Sequence, residues 1–388
     1  MRKMSALVAL AAVLALVGCS SNDKANEPPA GDETSPTATD TTPTDDGQQA
    51  AAAIVATLEQ ASPFSAAGPA FDASAMQGKQ IGVVVSGETA QFVQDFEAGV
   101  KAAADVLGAS VNFQDCGYDS TKASQQIEQF VGAGVGAIIL QSVDSSAVAA
   151  AIGTAKAAGI PVIESTSRDA GEVPADLAEI GVSAIASFCY SCAGEQMAAF
   201  AVASTDGVVN ALVYNVPGVV VSTQMVDGFR NELARLQPAG QVTVVDAPAA
   251  DWQANLGTLT TSNLQTNPDL NTLVPVFDSM VDLIEPVLTA AASDVAIVTY
   301  NATAPALTLL KEGRYVTGNV GSSPLWLGWA AVDQAARLLA GEAPIGDIMI
   351  PARIFTANNI SSIDLTASQQ TWYSEADLET EYRALWQM

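Results

Sequence analysis

Apolar and polar positions along this chain change period many times. Gln80 to Ser86 (QIGVVVS) is a β-branched apolar run, the pattern of a strand buried on both faces. From Phe92 to Leu107 the spacing is helical, with Phe92, Phe96, Val100 and Ala103 along one face and Gly108 as the stop. Val111 to Gln114 then predicts a strand, Lys122 to Val131 a helix, Ala137 to Gln141 (AIILQ) a strand, Ala147 to Ala158 a helix and Pro161 to Ser165 (PVIES) a strand. The alternation resumes further on. Strands are expected at Val208 to Tyr214, Gln241 to Asp246, Thr272 to Val276, Ala296 to Tyr300 and Val316 to Gly321. Helices are expected between and after them, at Val221 to Leu236, Gln253 to Asn267, Met280 to Ala291, Pro305 to Glu312 and Leu325 to Ala340. Strand–helix alternation with short links predicts an α/β fold of parallel sheets covered by helices on both faces. About ten strands suit two sheets better than one, and ligands of such sheets bind beyond the carboxyl ends of the strands. The expected site is therefore a cleft between two lobes.

The two ends break this pattern. Arg2 and Lys3 precede an apolar run, Ser5 to Val17, that is too short to span a bilayer comfortably. Leu16-Val17-Gly18-Cys19 follows and resembles the lipobox of bacterial lipoproteins. That resemblance implies removal of residues 1–18 as a signal peptide and lipidation (palmitate or similar acyl chains) of the Cys19 thiol. The competing reading is an ordinary signal peptide with a chance cysteine. Residues 20–49 are rich in Ser, Thr, Pro, Asp and Gly and read as a disordered tether. Residues 50–60 suit a short helix, and residues 61–78 read as a lead-in with no assigned function. Residues 361–388 exceed the repeating pattern, and Glu375 to Trp386 reads as an amphipathic surface helix.

Composition narrows the chemistry. Of 388 residues, 49% are hydrophobic but only 6% aromatic, so the core is built from Ala, Val, Leu and Ile. Acidic residues outnumber basic ones 42 to 15, a net charge of −27. Such a surface repels phosphate backbones, which argues against nucleic acid as a partner. Histidine is absent, which excludes Ser-His-Asp and Cys-His catalysis and removes the commonest zinc ligand. No catalytic residues, metal or cofactor are expected. Besides Cys19 there are Cys116, Cys189 and Cys192. Export implies an oxidising setting, and three thiols allow three pairings. The Cys189–Cys192 bridge is preferred, with free buried thiols or a redox pair as alternatives.

Several segments resemble the type I periplasmic binding proteins, in particular the ribose-binding, monosaccharide-type substrate-binding lipoproteins of ABC transporters. They are QQIEQFVGAGVGAIIL, the Val143-Asp144 turn and AKAAGIPVIE in the first half, and DWQANLGTLTTSNLQTNPDLNTL and ALTLLKEGRYVTGNVGSSPLWLGWAAVDQAARLLAGE in the second. The likeness covers roughly Lys79 to Asn358. It implies two Rossmann-like lobes joined by three hinge strands, with crossings near Gly181, Ser322 and Pro351. The first lobe is then 79–183 plus 322–350, the second 184–321 plus 351–360, after a tether and lead-in at 19–78. Related repressors carry an N-terminal helix-turn-helix, where this chain has a signal and tether.

A sugar site needs aromatic faces for the C–H surface of the ring and planar polar groups for its hydroxyls. Phe92 sits where the family places a ring-stacking aromatic, although it equally suits the first core position of its helix. Glu88 lies in the same loop. Arg168 and Asp169 follow the PVIES strand, near the family's Asp-Arg pair. Asp278 follows LVPVF, where the family's Asn is replaced by Phe277. Asn301 follows AIVTY in place of the usual Asp, and Ser322 stands where a ligand-binding Gln is common. Tyr190 opens the second lobe. The second-lobe Arg of the ribose group is matched by Thr223, so that contact is missing. Trp326, Trp329 and Trp252 read as structural. These departures point to a solute unlike plain ribose.

The expectation is a monomeric, lipid-anchored, extracytoplasmic protein that binds a sugar-like solute for an ABC permease and is not an enzyme. A ligand-sensing lipoprotein and a binder of a non-sugar solute are the alternatives. A carboxylate-based glycosidase using Glu88, Asp169 or Asp278 is more remote, since it needs two carboxyl groups paired across a cleft.

Overall fold

The computed structural model describes residues 45–388. The expected signal peptide, Cys19 and most of the expected tether lie outside the described residues. The tether's last five positions do not: helix α1 (Asp45–Leu58) already includes them.

The first sheet grows by regular strand–helix units. These are β1 (Gln80–Val85), α2 (Gln91–Val106), β2 (Ser110–Asp115), α3 (Ser120–Ala133), β3 (Ala137–Gln141), α4 (Ala149–Ala157), β4 (Val162–Ser165), α5 (Ala175–Ile180) and β5 (Val182–Ala186). Strand order is β2-β1-β3-β4-β5, and every pairing is parallel. All five residues of β3 are buried, as the apolar run AIILQ requires. The Asp119 side chain accepts from the backbone N–H of Thr121 at 2.8 Å and of Lys122 at 3.2 Å, satisfying two orphan donors at the start of α3.

The second sheet repeats the scheme. Its elements are α6 (Tyr190–Ser204), β6 (Asn210–Asn215), α7 (Val220–Leu236), β7 (Gln241–Asp246), α8 (Trp252–Thr266), β8 (Thr272–Pro275), α9 (Val281–Ala291), β9 (Ala296–Tyr300), α10 (Ala304–Lys311) and β10 (Val316–Ser322). Helix α11 (Pro324–Ala340) returns to the first sheet, where it packs on α2 and contacts β5. The chain then rejoins the second sheet as β11 (Ala352–Thr356), antiparallel to β10. The order is β11-β10-β9-β8-β6-β7.

The expected crossing near Gly181 is displaced. β5 pairs with β4 through Ala186, so the chain leaves the first sheet only after that residue. The strand VSAIA is weak in the sequence because Ala184 and Ala186 are small. Small side chains are what the approach of α11 demands there.

Two helix pairs are set by glycine. A Cβ at Gly99 of α2 would fall on the Leu325 carbonyl of α11, and one at Gly194 of α6 would fall on the Met225 carbonyl of α7. Only glycine permits this backbone approach. One hydrophobic core cluster is shared by the two lobes: it includes residues of α2, α11, α6 and α7 together with Phe188 and Tyr190. Separate clusters fill the outer faces of the two sheets.

The terminal segments pack into the folded unit. After α12 (Gln370–Tyr373) comes α13 (Leu378–Leu385), an amphipathic helix as expected: Glu379, Thr380 and Ala384 are exposed, while Leu378, Tyr382, Leu385 and Trp386 are buried. Trp386 and Tyr382 stack on Trp329 of α11. The lead-in is equally integral. Phe64 stacks on Trp326 at 5.4 Å, and the Phe71 N–H donates to the Leu385 carbonyl at 2.9 Å. α1 contacts α6, α7 and β11 of the second lobe. Both ends therefore run from the second lobe to the first. An amphipathic stripe identifies a helix that must bury one face, but not the partner that covers it.

Candidate functional site

Several strands of each sheet end in, or are followed by, polar residues. In the first lobe, Gln141 closes β3. Its Oε1 accepts from the Ser86 N–H at 3.4 Å, and its Nε2 donates to Ser142 Oγ at 2.7 Å and Thr166 Oγ1 at 3.2 Å. Ser142 and Thr166 adopt φ of 52° and 60°, a region non-glycine residues avoid. Their hydroxyls meet at 2.7 Å. Strain of this kind persists where the surroundings over-determine it, often at functional sites.

Arg168 follows β4 and is half-buried. Its guanidinium pairs with fully buried Glu164 and approaches Asp144 at 3.8 Å. Glu164 is further held by the Ser145 N–H at 3.3 Å. Asp169 caps α6: its Oδ1 accepts from the N–H of Tyr190 at 2.6 Å and of Ser191 at 2.9 Å. Its own N–H donates to Gln224 Oε1 of α7 at 3.1 Å. Asp169 thus ties the end of β4 in the first lobe to two helices of the second.

In the second lobe, buried Asp278 follows β8. Its Oδ2 accepts from the Thr303 N–H at 2.7 Å, Thr303 Oγ1 at 2.8 Å and Asn319 Nδ2 at 3.2 Å. Burial pushes its carboxyl up to about 6, against the lowering effect of these donors. Asn319 Oδ1 in turn accepts from the Ala302 N–H at 3.0 Å. Asn301 and Ala302, after β9, have φ of 110° and 52°. Asn301 is half-buried and its N–H donates to the Val320 carbonyl at 2.9 Å. Ser322 is buried and pairs across to Ala352 of β11.

Aromatic rings connect the two halves. Phe92, in the first turn of α2, meets Phe188 edge-on at 6.3 Å. Phe188 meets Tyr190 at 6.1 Å, and Tyr190 meets Tyr300 at 5.7 Å, next to Asn301. Of the residues expected from the sequence, Phe92 and Tyr190 belong to this chain of rings, Asp169 bonds the Tyr190 N–H, Asp278 is linked through Asn319 and Thr303 to the loop that holds Asn301, Arg168 pairs with Glu164 and Ser322 ends β10. Glu88 stands apart: it is exposed, and its carbonyl accepts from Gln94 Nε2 at 3.0 Å. The carboxylates suggested for a glycosidase are separated in role, one exposed, one capping a helix and one buried. Phe92 packs as a helix-start ring with one side in the core cluster.

Sequence reasoning missed Gln141, Ser142, Thr166, Thr303 and Asn319. The signal was present, a polar residue closing or interrupting an apolar run, as in AIILQS and VTGNVGS.

Cys189 and Cys192 are joined by a disulfide across the first turn of α6, with Cα atoms 5.2 Å apart, while Cys116 is buried and unlinked. A groove of about 440 Å³ runs between α8 and α9, away from these residues, and is lined by Leu264, Pro286, Val287 and Ala290.

The model for a periplasmic binding protein domain matches residues 81–343. The ribose import binding protein of Bacillus subtilis is 26% identical over 279 residues, covering 71% of this chain and 87% of that protein. Its Escherichia coli counterpart is 26% identical over 292 residues, covering 74% and 93%. Among solved structures, an ABC transporter solute binding protein from Agrobacterium vitis with bound allitol has a TM-score of 0.64 at 19% identity, covering 74% of this chain and 98% of that one. A carbohydrate transporter protein from Acidothermus cellulolyticus in complex with myo-inositol has a TM-score of 0.60 at 21% identity, covering 76% and 99%. The structural likenesses establish the fold.

Proposed function

Because the chain belongs to the periplasmic binding protein domain family, we propose that it is a solute-binding lipoprotein that holds a sugar or polyol between its two sheets and delivers it to an ABC permease. One observation carries this reading. Polar groups close or follow β3, β4, β8, β9 and β10, and a chain of rings from Phe92 to Tyr300 links the first lobe to the second. Rings for C–H surfaces and amides or carboxylates for hydroxyls are what a neutral polyhydroxy ligand requires. The names of the relatives, ribose import proteins and binders of allitol and myo-inositol, support the same class.

In this reading the first lobe comprises 79–186 with α11, and the second 187–322 with β11. Phe92 and Tyr190 offer apolar surface, and Asn301 and Asp278 take hydroxyls. Arg168, oriented by Glu164 and Asp144, takes a ring or hydroxyl oxygen. Asp169 positions α6. Membership in a periplasmic family supports a location outside the cytoplasm, and the LVGC motif at Cys19 supports a lipid anchor in the membrane. Acyl chains in pairs hold a protein there stably. The protein binds without doing chemistry.

The test is calorimetry and thermal shift of the purified soluble part with D-ribose, D-allose, allitol and myo-inositol. A ligand at a hundred times its Kd adds about 2.7 kcal/mol of stability. Binding of amino acids or nucleosides with none of these polyols bound would overturn the assignment.

A further inference from the structure

The segment after residue 343 lies outside the family match, yet it sends a side chain to the strand ends of the second lobe. Tyr373 closes α12 and is 1% exposed. Its backbone is gripped from two sides. The carbonyl of Tyr373 accepts from the Ser62 N–H at 3.0 Å, and the carbonyl of Trp372 accepts from Arg353 Nη1. The ring meets Phe355 edge-on at 5.5 Å. Held in this way, the hydroxyl reaches β10. A Cβ at Gly321 would lie 2.6 Å from that oxygen and 2.6 Å from Ala302 Cβ. The absence of a side chain at Gly321 is what gives the hydroxyl its place.

The surroundings of this hydroxyl belong to both lobes. Burial raises its pKa, and the negative charges of Asp278 in the second lobe and of Asp95 on α2 in the first raise it further. Among the described residues, Tyr373 Oη and Asp278 Oδ1 are both buried and meet no hydrogen-bond partner, although Asp278 Oδ2 has three donors. Buried polar groups are rarely left so, and each such exception calls for an explanation. Both atoms flank the same short stretch, residues 301–303 and 319–321.

Their chemistry selects a partner. Ionised Asp278 Oδ1 only accepts, and a phenolic O–H donates. A single alcohol group satisfies both, donating to Asp278 and accepting from Tyr373. An ammonium could donate to both oxygens but would leave the phenolic proton without an acceptor, and a carboxylate or phosphate cannot donate and is repelled by Asp278. We propose that Tyr373, supplied by the C-terminal segment, is a specificity-determining ligand contact that holds one hydroxyl of a neutral polyol together with Asp278 Oδ1. This rests on the sugar-binding reading above.

The experiment compares wild type and Tyr373→Phe for binding of D-ribose, D-allose, allitol and myo-inositol, and for melting temperature without ligand. The substitution keeps the ring against Phe355 and removes only the oxygen. The expected result is a loss of affinity of about tenfold or more for the sugars or polyols that wild type binds, about the size of one hydrogen bond, with an unchanged or higher melting temperature of the free protein. A second variant, Gly321→Ala, crowds the hydroxyl and is expected to weaken the same ligands. Equal affinity in wild type and Tyr373→Phe overturns the assignment. So does a lowered melting temperature with affinity intact, which would mark the gap as the site of a structural water. If wild type binds none of the four compounds, the sugar-binding reading fails and this one with it; if wild type binds and the variant binds equally, only Tyr373 is wrong.

Discussion

Replacing Arg337 with Met tests whether the terminal segments are part of the folded unit. Arg337 is 1% exposed in α11. Its Nε donates to Asp333 Oδ2 at 2.8 Å, Nη2 to the Ala67 carbonyl at 2.8 Å and Nη1 to the Pro69 carbonyl at 3.2 Å. The guanidinium lies 4.4 Å from the Phe71 ring centroid. Asp333 Oδ1 accepts from Trp386 Nε1 at 2.8 Å. One buried ion pair therefore joins α11 to the lead-in on one side and to the C-terminus on the other. Methionine retains most of the apolar stem but leaves Asp333 buried without its countercharge and two carbonyls without donors. Breaking a buried pair from one side costs about 3–5 kcal/mol, a large fraction of a typical domain's stability.

The pH dependence has a definite sign. Burial already holds the Asp333 carboxyl above its usual range, and Arg337 acts to lower it. Without Arg337 it rises further. A carboxyl raised in the folded state contributes stability below its unfolded pKa and loses it as pH climbs through the folded value. The cost of Arg337→Met is thus smaller at pH 5 than at pH 8. The double variant Asp333→Asn/Arg337→Met should recover part of the loss, because an amide is cheaper to bury than a charge and can still accept from Trp386. Urea unfolding followed by tryptophan fluorescence measures these differences, and limited proteolysis reports loosening around residues 60–76. A loss below about 1 kcal/mol, within the range of an exposed pair, with the double variant no better than the single one, would refute the reasoning.

Two further outcomes follow from the same logic. Asp278 titrates near 6 in the folded protein against 3.8 for the free group. Its contribution to stability is present below about pH 4 and is lost as pH rises through 6, about 3 kcal/mol in all. Asp278→Asn should therefore gain on wild type between pH 4 and 7 in ligand-free melts; a constant difference across that range would show that Asp278 is ionised without penalty. For the anchor, Cys19→Ser is expected to move the protein from the membrane fraction to the soluble fraction of expressing cells. Retention at the membrane at wild-type levels would remove the lipid from the account.

Local periodicity made most elements legible. β-branched runs such as QIGVVVS and AIILQ and helical spacing such as Phe92–Phe96–Val100–Ala103 encode which face of each element must be buried. That code is written within a few residues, so strands, helices and their alternation follow from the sequence alone. What covers each face is a matter of residues far apart in the chain. The burial of Trp386 against Trp329, the clasp of Arg337 on residues 67 and 69, and the delivery of Tyr373 to Gly321 all join segments with no local relation. The contacts of the charged residues after β4 were equally out of reach. Asp169 is a helix cap and Arg168 a partner of Glu164 because of where β4 and α6 meet. Burial and hydrogen bonding depend on the whole surrounding shell, and only the assembled tertiary structure provides it.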